Sequence, residues 1–152
     1  MTGNDIKLDR YAIVSFGKKK ENLLIALKNN VIGSKHATFE KHIQNGQIIF
    51  FHCNGSIWGS GVVVSNYYYD CTPIWDDNLY PHRFNIRAGL FHQDGILTSQ
   101  SSFSEKMKGR FGSGWGFSYI FAPQPLPNAF GIDLLEEIKC QSTDAYTFMN
   151  TI

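Results

Sequence analysis

The chain has 152 residues and a formal net charge of +1, so its length bounds it to one domain and its charge does not mark it for a polyanion. A hydrophobic fraction of 43% excludes a disordered chain, and a core at this length buries roughly two-thirds of the unfolded surface. No apolar run approaches the ~20 residues of a membrane-spanning helix, so no membrane role is expected.

Aromatic residues make up 14% of the chain, more than a core of this size needs, so some rings are expected to line a pocket or contact face. Cys53, Cys71 and Cys140 match neither a CxxC nor a zinc spacing, so no metal or other cofactor is expected. Their odd number, with no signal peptide ahead of them, points to a reducing cytoplasm.

In chain order, residues 1–9 are polar and read as a flexible arm. "YAIVSF" (11–16) reads as a strand. A helix follows over 20–29, with Leu23, Leu24, Ala26 and Leu27 as its apolar stripe. Asn29 and Asn30 suit its C-terminal end, where left-handed backbone is tolerated. The helix then runs into a Val31-Ile32-Gly33 turn.

"ATFEKHI" (37–43) reads as a short helix and "QIIFFHC" (47–53) as a strand. "NGS" (54–56) is a tight hairpin signal leading into the returning strand "IWGSGVVVS" (57–65). Gly59 and Gly61 allow a bulge or a close approach within that strand. "YPHRFNIRAGLF" (80–91) alternates and reads as a long strand. Helices follow over about 101–109 and 129–139. Hairpin-paired strands with helices at the edges imply an α+β fold, a small closed or half-closed β-barrel with peripheral helices. Residues 10–140 form the domain, and 141–152 read as a C-terminal extension or the start of a linker.

Four landmarks resemble the EVE domain of the PUA-like superfamily, a relative of the YTH domain. The first is a strand followed by "EN" and, ten residues after Asn22, Ile32 in "NNVIG". The second is "NGQIIFFHCNGSIWGSGVVVS", and the third "YYYDCTPIWDDNLYPHRFNI". The fourth is a closing "LP" followed by a helix. Together they span about residues 10–139.

The resemblance implies a pocket that accepts a modified base. YTH domains hold a methylated adenine of single-stranded RNA in an aromatic cage. EVE domains are linked to modified bases in DNA, some as readers in Mcr-type restriction systems whose motor (AAA+) and nuclease parts lie elsewhere. Modified DNA is therefore the expected partner, ahead of RNA.

By this resemblance Asn22 hydrogen-bonds the base edge, since an amide both donates and accepts. The alternative is an Asn that packs at the helix start. Ser15 is a candidate for the same pocket. Ile32 stands where the family has a Trp and offers only aliphatic contact or plain core. Gly33 and Ser34 offer backbone where a side chain would clash.

Trp75, in a loop, is the candidate stacking wall, or else a plug of the barrel end. Trp58 is either the opposite wall or core, and Phe51 and Tyr80 read as core or rim. Asp76 and Asp77 either accept a hydrogen bond from an exocyclic amine or are solvated charges. Lys18, Lys19 and Lys20, Arg83 and Arg87, and Lys106, Lys108 and Arg110 form a candidate surface for phosphates, with a solvated face as the plainer reading.

An enzyme is the competing class. His52 and Cys53 are adjacent in a strand, point to opposite faces and cannot form a dyad with each other. No HxE…CxxC deaminase set is present. A protein-interaction module of a larger complex is the third reading.

Overall fold

The computed structural model describes residues 10–97, 102–120, 124–140 and 142–144. The arm at 1–9 and all but 142–144 of the stretch at 141–152 lie outside the described residues. The elements, in order, are β1 (Tyr11–Ser15), α1 (Lys20–Asn29), β2 (Val31–Ser34), α2 (Phe39–His42), β3 (Ile48–Cys53) and β4 (Ser56–Val63). They continue with β5 (Tyr68–Tyr69), β6 (His82–Leu97), α3 (Ser102–Phe111), α4 (Trp115–Tyr119), α5 (Asn128–Lys139) and β7 (Ser142–Asp144). The strands form one mixed, curled half-barrel sheet in the order β1-β3-β4-β6-β2. β1 pairs with β3 in parallel, and the other pairings are antiparallel. β5 and β7 also pair with β6, the longest strand.

Both faces of β1 and β3 are covered, which explains their nearly continuous apolar runs. Ala12, Val14, Ile49, Phe51 and Cys53 join Leu23 and Leu27 of α1 and Phe39 of α2 in one core. Tyr11, Ile13 and Phe50 join Phe103 and Met107 of α3, Trp115 of α4 and Leu134 and Ile138 of α5 in a second. The period-2 alternation of the strands therefore divides the helices between two cores.

Local chemistry sets the joints. Asn30 caps α1 with φ +56°, its N–H donating to the Ala26 carbonyl, and hands the chain directly to β2. Asn54 and Gly55, both at positive φ, form the two-residue hairpin between β3 and β4. The β4–β6 register shifts on either side of Gly59. A Cβ at Gly59 would strike the Leu90 carbonyl, and one at Gly61 would lie 2.9 Å from that of Arg87. Bulge and close approach thus coincide.

Three expectations are corrected. Val31-Ile32-Gly33 is part of a strand rather than a turn, paired with β6 through Ile32 and Phe84. The long strand begins at His82 and runs on to Leu97, past residue 91. Ser142–Asp144, read as extension, pairs with β6. Among the described residues no helix is long and apolar enough to cross a membrane.

Candidate functional site

A cavity of about 190 Å³ opens at the end of β1, lined by Ser15, Phe16, Gly17, Asn22, Gly33, Trp75 and Tyr80. It falls below the ~300–1,000 Å³ of a site for a drug-sized ligand, which suits a single ring system.

Two walls come from the loop before β6. The rings of Trp75 and Tyr80 meet edge to face, centroids 5.3 Å apart at 83°. They form a corner, which can take a planar group against one ring with its edge toward the other. Phe16 is the third aromatic residue, placed where β1 ends. Gly33 supplies bare backbone from β2. A Cβ there would lie 2.5 Å from the Tyr80 carbonyl oxygen and 3.1 Å from the Trp75 ring.

Asp77 organises the polar side. It accepts hydrogen bonds from the Tyr80 hydroxyl at 2.7 Å and from the Asn22 amide at 3.2 Å, with Lys19 at 3.4 Å. A carboxylate only accepts, so Asn22 presents Nδ2 to it and keeps Oδ1 as an acceptor. The Trp75 indole N–H donates to the Asn22 backbone carbonyl at 3.1 Å, tying the loop wall to α1.

The Tyr80 hydroxyl bond holds the Asp77 carboxyl below its ordinary range, with Asn22 and Lys19 adding to it against burial. Burial, then the bond to Asp77, pushes the Tyr80 phenol up to about 12, so it is a neutral donor at physiological pH. On the opposite side Ser15 Oγ accepts from the Gly17 N–H at 3.2 Å and bonds His52 Nδ1 at 3.0 Å. Burial lowers His52 to about 4, so its imidazole is neutral at physiological pH.

Arg83 does not reach the surface and is corrected here. It is 1% exposed and donates to the backbone carbonyls of Thr72, Leu79 and Tyr80 at 2.6, 2.9 and 3.1 Å. Its guanidinium also lies over the Trp75 ring, 5.7 Å from the centroid. It is the clamp of the loop that carries Trp75 and Tyr80. Tyr80 is held at φ +45°, a backbone state that a non-glycine residue keeps only when its surroundings enforce it.

Of the other expected pocket residues, Ile32 is fully buried in the first core and Ser34 Oγ accepts from the His36 N–H, so neither lines the cavity. Trp58 packs on Phe91 and donates to the Cys53 carbonyl at 3.0 Å, with Lys20 over its ring at 4.1 Å. It packs against the first core and does not line the small cavity, so it is not the opposite wall. Asp76 is exposed, and Asp77 is the carboxylate at the site.

The basic residues separate. Lys19 is bonded to Asp77 and Lys106 to Asp133. Arg110 lies over the Phe111 ring and Arg87 is exposed on β6. Lys18 and Lys108 line one further cavity together.

Sequence reasoning missed Phe16 and Gly17, and placed Tyr80 at the core or rim.

No family model and no curated protein matches the sequence. Solved structures do match. The Pho92 YTH domain in complex with m6A is 20% identical, covering 86% of this chain and 84% of that one with a TM-score of 0.55. The YTH domain of the Zygosaccharomyces rouxii MRB1 protein, in complex with N6-methyladenosine RNA, is 16% identical, covers 91% of each chain and gives a TM-score of 0.58. The Mmi1 YTH domain in complex with RNA is 15% identical, covering 95% of this chain and 84% of that one, also at 0.58. The chain has the α+β, PUA-like fold of the YTH domains.

Proposed function

We propose that the chain is a non-enzymatic reader that captures one methylated purine base, of the N6-methyladenine kind, from a single strand. The observation that carries this reading is the cavity that brings the rings of Phe16, Trp75 and Tyr80 together with the Asn22 amide and Ser15. Stacking supplies roughly 1–3 kcal/mol per base, and a base already unpaired costs least to extract. The ring corner shelters a methyl group, while Asn22 Oδ1 accepts from the one N–H that methylation leaves on the exocyclic nitrogen. Catalysis draws no support from the Ser15–His52 pair, since an imidazole with a pKa of about 4 is too weak a base to activate a hydroxyl near neutral pH.

RNA is placed ahead of DNA because the solved structures of like fold include domains described with m6A and with RNA. The restriction-system reading, with modified DNA, a motor and a nuclease, draws no support from these comparisons. The test is fluorescence anisotropy at fixed salt with matched single-stranded RNA and DNA carrying adenine, N6-methyladenine, cytosine or 5-methylcytosine. Methyladenine RNA is expected to bind at least about tenfold more tightly than its unmodified match, and Tyr80→Ala to remove that preference while circular dichroism reports a folded chain. Equal binding of every oligonucleotide would overturn the reading, and a preference for methylated DNA would restore DNA as the partner.

A further inference from the structure

A second, larger cavity of about 530 Å³ adjoins the first. Gly17 lines both. Ser15 lines the small cavity and His52 the large one, and their 3.0 Å bond is the partition between them. A Cβ at Gly17 or Gly55 would meet nothing within 4 Å, so the floor is open.

The chemistry of this second cavity is mixed. Trp115 and Ile120 supply apolar wall, and the neutral His52 and Ser104 supply polar groups. Lys18 and Lys108 are exposed at it, and neither makes an ion pair among the described residues, unlike Lys19 and Lys106. Cations with no carboxylate partner beside an apolar wall suit a ligand that joins a ring to an anion. Its greater volume admits more than a bare base. Consecutive nucleotides are joined through a single phosphate, so a cavity that shares Gly17 with the first is placed for the next residue of the same strand.

We propose that the larger cavity holds the nucleotide adjoining the captured base, its ring against Trp115 and its phosphate between Lys18 and Lys108. This rests on the reading of the small cavity as the modified-base site. The domain then recognises a two-nucleotide step rather than a lone base.

Calorimetry on the full chain tests it with three probes: N6-methyladenosine, dinucleotides that link N6-methyladenosine to a neighbour on its 5′ or 3′ side, and adenosine monophosphate. One of the dinucleotides is expected to bind at least about tenfold more tightly than the nucleoside, and Lys108→Glu to erase that gain while nucleoside binding persists. Retention of the gain in both Lys108→Glu and Lys18→Glu would overturn the proposal, as would dinucleotides no tighter than the nucleoside. Lys108-dependent binding of adenosine monophosphate without any gain from linkage would overturn the adjoining nucleotide in favour of a free one. Failure of the nucleoside itself to bind would instead refute the reading of the small cavity, so the two failures are distinguishable.

Discussion

His52 shows how one side chain couples the site to stability. It is 6% exposed, and burial depresses its pKa from 6.5 to about 4. A histidine held neutral in the folded state stabilises fully above 6.5, and that contribution is lost as the pH falls from 6.5 through about 4. The expected outcome is an acid-side loss of up to about 3 kcal/mol across that window, measured by urea unfolding at a series of pH values. His52→Gln should flatten the profile between 6.5 and 4, and an unchanged profile would show that His52 is not held neutral.

Arg83 carries the opposite lesson about charge. Its three backbone acceptors and the indole beneath it make it a structural cation, although a lone Arg in a strand reads as a phosphate contact. Arg83→Met is expected to cost about 1–3 kcal/mol of stability, because it removes the donor to three loop carbonyls. The salt dependence of RNA binding should be unchanged, whereas loss of one phosphate contact would make its slope shallower by about 0.7.

At the level of elements, the site depends on how closely β2 approaches the loop before β6. Gly33→Ala drives a Cβ against the Tyr80 carbonyl. It should cost about 1–3 kcal/mol in thermal or urea unfolding and weaken binding of methyladenine RNA at least tenfold by anisotropy. Unaltered binding would show that the cavity opens elsewhere.

This strand was also the least legible. Its four residues are too few to display a period, and its pairing partner lies some fifty positions away in β6. β5 and β7, of two and three residues, are equally short and form only by pairing with β6. Where the chain carries strong local signals the reading succeeded. The α1 stripe, the Asn30 cap, the Asn54-Gly55 hairpin and the bulge at Gly59 all follow from residues within a few positions of one another. The cavity was legible only in part. Asn22 and Trp75 were found through a resemblance, while Tyr80, Phe16 and Gly17 reach it through loop geometry that spacing does not encode.

For the whole molecule, the curled sheet does more than bury apolar surface. It carries one core on each face, and the two cavities meet at Gly17, just after β1. The three tryptophans fall into three distinct environments: Trp75 at the small cavity, Trp115 at the large one, and Trp58 at neither. They are natural reporters of where a ligand sits.

The most direct measurement is therefore a ¹H–¹⁵N spectrum of the three indole N–H groups during titration with N6-methyladenosine, with adenosine as the control. The Trp75 resonance is expected to shift and saturate with the methylated nucleoside at a concentration where adenosine leaves it in place, while Trp58 and Trp115 stay still. Identical shifts with both nucleosides, or shifts confined to Trp58 or Trp115, would contradict recognition of a methylated base at Trp75.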